Sequence, residues 1–260
     1  MHLIISGHQR SGTTLLRRLC DGHPQMKVAN EFGCFADMGL TVRQAWAARW
    51  AQWRLVNGRW AFDSQFATDP RRHWHNFWFT LRYGWHLAQM AHGPVTVEAV
   101  AGALEMLWPE TAVVGDKLPQ YMPLLPQLSK NKESHIVVIY RDCRDVTSSF
   151  LEKVRTVWRT REWAKEVDTA EKIAANWVNH IVLMEKLADD IHIIQYEQLV
   201  QEPEHVLNGL ASWLDVDPAG FKPQTIKMDS LGKHRKGLTE AELAEVTAVA
   251  GPTMRRLGYK

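Results

Sequence analysis

The stretch His2–Leu19 restricts the chain more than any other. An apolar run, His2-Leu3-Ile4-Ile5-Ser6, enters a loop punctuated by Gly7 and Gly12 and leaves it as Thr13-Thr14-Leu15-Leu16-Arg17-Arg18-Leu19, whose apolar residues recur at helical spacing. Strand, glycine loop and helix in that order make a cradle for phosphate or sulfate, because the first amides of a helix have no partner within it and lie at the positive end of its dipole. Gly7 and Gly12 permit close backbone approach, Arg10 adds charge, and Thr13 and Thr14 add hydroxyls. The spacing approaches the nucleotide pattern G-x-x-x-x-G-K-[ST] from Gly7 to Thr14, yet Thr13 stands where a lysine would reach the β- and γ-phosphates. That exchange argues against a nucleotide kinase, the competing enzyme reading.

The rest of the chain alternates apolar runs with helical patterns, which predicts an α/β fold, a central parallel sheet covered by helices on both faces. Met26–Ala29, Ala112–Gly115, Ser134–Tyr140 and Ile191–Tyr196 read as strands, and Ser134–Tyr140 is continuously apolar at its centre, as a doubly covered parallel strand should be. Helices are expected over 161–188, 203–214 and 239–257, the last opening on a capping box of Thr239 and Glu242. Residues 41–108 read as a helical insertion holding eight of the twelve tryptophans. Three- and four-residue spacing of Trp46, Trp50 and Trp53, and then of Trp74, Trp78, Leu81 and Trp85, predicts that most of these tryptophans are core. No repeat or linker divides the 260 residues, so one domain, 1–260, is expected.

Composition removes other functions. A net charge of +2 gives no general affinity for nucleic acid or a membrane surface, so anion binding must come from local clusters. Three cysteines without C-x-x-C spacing suggest neither a disulfide framework nor zinc, and no metal is expected. No run reaches membrane-spanning length and none reads as a signal peptide, so a cytoplasmic protein is expected.

Five elements in order resemble the sulfotransferases that use 3'-phosphoadenosine-5'-phosphosulfate, in particular the bacterial and tyrosylprotein-type branch. Gln9-Arg10-Ser11-Gly12-Thr13-Thr14-Leu15 is similar to the family's P-[RK]-S-G-T-T-L loop, with Gln9 in place of proline. His23-Pro24 followed by Glu31 resembles the run whose glutamate acts as base, and Asp116-Lys117-Leu118-Pro119 the element that supplies a lysine to the sulfonate. Arg141-Asp142-Cys143-Arg144-Asp145 through Ser149 resembles the 3'-phosphate element, and Tyr196-Glu197-Gln198-Leu199 through Pro203 the one whose tyrosine lies beside adenine. Arg235-Lys236-Gly237 is similar to a triplet used at the 3'-phosphate in cytosolic members, whose histidine base is replaced here by Lys117.

The resemblance implies a P-loop-type three-layer fold and sulfuryl transfer to a hydroxyl or amine of a small-molecule, glycan, lipid or peptide acceptor. It assigns Glu31, Arg10 and Lys117 to catalysis. Arg10, Ser11, Gly12, Thr13 and Thr14 would hold the 5'-phosphosulfate, and Arg141, Ser149, Tyr196, Arg235 and Lys236 the rest of the donor. Arg144 with Asp145 reads as a structural ion pair. A non-catalytic nucleotide-binding module of the same fold is the alternative of a different class.

Overall fold

The computed structural model describes residues 1–56, 59–62, 70–227 and 231–260, and of residues 54–73 no side chain. In chain order the elements are β1 (His2–Ser6), α1 (Thr13–Asp21), β2 (Met26–Asn30), α2 (Val42–Ala51), β3 (Trp53–Val56), β4 (Arg59–Phe62), α3 (Pro70–Met90), α4 (Val97–Leu107) and β5 (Val113–Lys117). There follow α5 (Leu125–Leu128), β6 (Ser134–Tyr140), α6 (Cys143–Arg155), α7 (Ala170–Lys186), β7 (His192–Gln195), α8 (Tyr196–Gln201), α9 (Pro203–Trp213), α10 (His234–Gly237) and α11 (Glu240–Arg256).

Five strands pair in the order β2-β5-β1-β6-β7, all parallel. Alternate side chains of each strand enter two separate apolar layers. Leu3, Ile5, Val113, Val137 and Ile139 pack toward α1, α8 and α9, while Ile4, Val114, Ile136 and Val138 pack toward α3, α4, α6, α7 and α11. The result is the three-layer α/β arrangement expected. Parallel strands put their carboxyl ends on one edge, and the register brings Ser6, Asn30, Lys117 and Tyr140 to it.

The segment between β2 and β5 departs from expectation in two ways. It is not purely helical, because β3 and β4 form an antiparallel hairpin, Trp53 opposite Phe62. Its tryptophans are also not core: Trp46, Trp74, Trp78 and Trp85 are exposed, Trp50, Trp53 and Trp108 half-buried, and Trp60 lies outside the described side chains. The inner face of α3 consists instead of Phe79, Tyr83 and Leu87. Further on, the predicted 161–188 helix is divided into a short 3-10 turn, Glu162–Val167, and α7. The capping box at Thr239 is formed with both of its bonds.

Candidate active site

The loop after β1 bends through three left-handed residues, Gly7 at φ 147°, Arg10 at 73° and Gly12 at 101°. Two of these are glycine for lack of room. A Cβ on Gly7 would lie 2.2 Å from the Ile139 carbonyl oxygen, and one on Gly12 would lie 2.3 Å from the Tyr196 ring. Gly12 therefore packs the loop against the tyrosine that opens α8. No side chain caps α1, and the buried Ser11 hydroxyl in the loop has no hydrogen-bond partner. A buried hydroxyl without a partner is costly unless a ligand completes it.

Glu31 directly follows β2 in a left-handed conformation, φ 57°, with its amide donating to the Lys117 carbonyl at 2.7 Å. Lys117 ends β5 beside it, and its ammonium donates to Glu31 Oε1 at 2.5 Å and to Thr14 Oγ1 at 3.3 Å. Both side chains are buried, Lys117 fully. Burial raises the Glu31 carboxyl above its ordinary value against the pull of Lys117, and burial lowers the Lys117 ammonium against the pull of Glu31. A carboxylate moved toward neutral pH and held beside a phosphate loop suits proton abstraction.

Asp116, the neighbour of Lys117, points to the other face of the sheet and received no role from the sequence. Its fully buried carboxylate accepts bonds from the amides of Phe32 at 3.3 Å, Gly33 at 2.7 Å and Cys34 at 3.1 Å, and from the Tyr121 hydroxyl at 2.6 Å. These bonds hold the turn that follows Glu31. Arg49 of α2 adds a second clamp, donating to the Phe32 carbonyl and pairing with Asp37 at 3.0 Å. The only signal in the sequence was a carboxylate at the end of an apolar strand. His23 is structural: it contacts the Asp217 carbonyl at 2.7 Å and packs at a tilt against Phe221, tying the end of the first helix to the segment after α9.

A second group of cations gathers around α6. Arg141 donates to Asp145 at 2.9 Å and its guanidinium lies 4.5 Å from the centre of the Tyr196 ring. Arg10 reaches across from the glycine loop and donates to Ser149 at 3.0 Å. Asp145 also accepts from the amides of Gly232 and His234, both at 2.9 Å, and contacts the His234 ring at 2.7 Å, which pins the loop bearing Arg235 and Lys236 onto α6. The expected Arg144–Asp145 pair is therefore not formed. Arg144 pairs with Asp142 at 2.6 Å and donates to the Lys260 carbonyl at 2.7 Å, because Asp145 lies one turn further along α6 and faces Arg141.

Two cavities with Arg10 in common result. One, of 410 Å³, is lined by Arg10, Gly12, Thr14, Glu31, Arg141 and Tyr196. The other, of 840 Å³, includes Arg10, Ser149, Lys153, Lys233, Arg235 and Lys236. Arg10 borders both. The structure thus brings all the sequence-predicted residues to one edge of the sheet, Glu31 and Lys117 in direct contact. Arg235 and Lys236 reach it only on the side of the larger cavity.

A parallel sheet of P-loop type, a glycine loop without its lysine, a buried carboxylate–lysine pair and a separate basic cavity define a transferase of anionic groups. The sulfotransferase family profile matches residues 3–219, and the chain belongs to that family. It is a sulfotransferase. No curated protein matches by sequence. Solved structures of the same fold include the sulfotransferase domain from the curacin biosynthetic pathway, at 20% identity and a TM-score of 0.62 over 100% of this chain and 98% of that one. They also include sulfotransferase STF9 from Mycobacterium avium, at 14% and 0.54 over 99% and 77%. Mouse sulfotransferase SULT7A1 complexed with PAP is similar at 12% and 0.53 over 98% and 84%.

Proposed function

We propose that the chain uses 3'-phosphoadenosine-5'-phosphosulfate to sulfate a hydroxyl or amine of its acceptor, working as one domain over residues 1–260 with Glu31 as base. The observation that carries this reading is Arg10, which borders both the cavity lined by Glu31, whose carboxylate pairs with the buried Lys117, and the basic cavity on α6. A donor with anions at both its 5' and 3' ends needs two linked anion sites, and a nucleoside triphosphate needs one. The complex of the mouse structure with PAP, the desulfonated nucleotide, supports the same choice. The residues suit the donor: Ser11 has a hydroxyl awaiting an acceptor oxygen, and α1 opens without a side-chain cap.

When bound, the donor supplies an electrophilic sulfur on a phosphate leaving group. Glu31 takes the proton of the attacking hydroxyl or amine as the new bond to sulfur forms. Lys117 and Arg10 meet charge on the sulfonate and the departing phosphate, together with the amides that open α1; preorganised donors of this kind are the larger share of catalysis. Arg141 and Ser149 hold the 3'-phosphate, assisted by Arg235 and Lys236, and Tyr196 lies against the adenine. Clefts of 360 Å³, on Asn30, Phe32, Phe79 and Trp108, and of 460 Å³, on Gln9, Pro119, Phe150 and Trp163, flank the site as acceptor approaches. The three cysteines are buried free thiols, which suits the cytoplasm.

Thermal shift tests the donor. PAP should raise the melting temperature and ATP at equal concentration should not, since only ligands bound by the native state stabilise it. An equal response to both would return the chain to ordinary nucleotide chemistry, and binding of PAP without transfer to any acceptor would make it a non-catalytic module.

A further inference from the structure

The near-neutral total charge conceals an uneven distribution. Residues 40–97 contain seven arginines, no lysine and two aspartates, and neither α2 nor α3 contains a carboxylate. On α3, Trp74, Trp78 and Trp85 are 69%, 57% and 67% exposed, and Trp46 of α2, against Gly84, is 39% exposed. At about 100° per residue the three α3 indoles fall within roughly 40° of one another, in a row about 16 Å long. Arg82 and Arg43 are exposed on the same helices. The opposite face of α3, Phe79 and Tyr83, packs on Phe32, next to Glu31.

Such a row needs a reason, because several neighbouring exposed indoles raise the cost of solvation and monomeric proteins rarely show large apolar patches. Indoles combine an apolar body with a polar N–H and partition to the headgroup level of a bilayer, and exposed arginines on helices that contain no carboxylate favour anionic lipid. We propose that the outer face of α3, with Trp46, is a docking surface for an anionic lipid bilayer. The enzyme then binds peripherally, the indoles at headgroup depth and Arg43 and Arg82 against the lipid charge. Among the described residues no helix is long and apolar enough to cross a membrane, so the contact is with the surface. The proposal does not depend on the chemistry assigned to Glu31.

Co-sedimentation of the full chain with vesicles of phosphatidylcholine, alone or mixed with phosphatidylglycerol, reads it directly. Binding to the mixed vesicles should be about tenfold or more tighter, and should weaken with salt. Trp74→Ser, Trp78→Ser and Trp85→Ser combined should lower it about tenfold or more with an unchanged circular dichroism spectrum. Should the triple variant not fold, quenching of indole fluorescence by brominated lipid in the native protein should fall in each single variant. Equal binding to both vesicles, unchanged binding of the variants, or a native dimer that the triple variant converts to monomer would overturn the proposal. So would an acidic protein, rather than lipid, competing for the same indoles. Loss of sulfuryl transfer alone would leave it standing.

Discussion

At the residue scale the site depends on neighbours with opposite directions. Lys117 and Asp116 follow one another on β5, so the strand's alternation sends one toward Glu31 and Thr14 and the other under the turn at Phe32–Cys34. Glu31→Gln keeps the size of the proposed base and removes its proton affinity. It should lower kcat about 100- to 10,000-fold while PAP affinity stays within about threefold, as read by steady-state kinetics and calorimetry. In the native enzyme, activity should fall as pH drops through the Glu31 pKa, because protonation abolishes the base. Burial raises that pKa, so the fall should come above the ordinary carboxylate range, near 4.3, and vanish from the residual activity of the glutamine variant. Asp116→Asn acts differently. It places an amide where three backbone N–H groups and a phenol converge, costing roughly 2–4 kcal/mol of stability by denaturant titration. As a positioning residue it should lower kcat at saturating donor while leaving PAP affinity unchanged; weakened PAP binding instead would make its role merely structural. Asp116 was not legible in the sequence, since the three amides it holds lie more than eighty positions away.

At the element scale, strands read well and helix faces did not. A parallel strand such as β6 is apolar on both sides, so its run alone identifies it and its place inside the sheet. The glycine loop was equally legible, because its residues are adjacent in sequence. Helical spacing, in contrast, shows that residues share a face but not whether the face turns inward. Trp74, Trp78 and Trp85 make one face of α3, and Phe79, Tyr83 and Leu87, which carry the core, make the other. The hairpin of β3 and β4 was hidden for a related reason, since aromatic residues serve either element. Histidines show how packing between elements changes chemistry that sequence leaves open. His8 of the glycine loop and His180 of α7 lie with ring centres 5.1 Å apart, and burial lowers them to about 4 and about 3. Their unfolded values are near 6.5, so below that pH the unfolded chain takes up protons that the native one refuses. Stability is therefore complete above pH 6.5 and declines as pH falls toward 4, by on the order of 3 kcal/mol for His8. Denaturant titrations at pH 7 and 5 should show the loss, and His8→Gln should reduce it.

At the scale of the whole molecule, the proposed donor site is an assembly of three chain segments that meet only after folding. The glycine loop extends from β1, Arg141 and Ser149 stand on β6 and α6, and the loop of residues 231–237 is held to α6 by the Asp145 carboxylate. The element motifs were legible one by one because each is local; that Arg10 would bridge two cavities was not, as it follows from the adjacency of β1 and β6 in the sheet. This geometry distinguishes ligands by how many segments they engage. A nucleotide without a 3'-phosphate can reach the loop at Arg10–Thr14 but has nothing to offer the basic cavity beyond Ser149. Hydrogen exchange followed by mass spectrometry should then show PAP slowing exchange together in 9–16, 141–149 and 231–238, and adenosine 5'-phosphosulfate slowing it in the first segment alone. Asp145→Ala releases the Gly232 and His234 amides and one partner of Arg141. It should remove the PAP-induced protection of 231–238 and weaken PAP binding about tenfold or more, the scale of a charge-assisted hydrogen bond, while adenosine 5'-phosphosulfate binds as before. Protection of all three segments by the nucleotide lacking the 3'-phosphate would mean that the basic cavity serves another anion, and that Arg10 joins two independent sites.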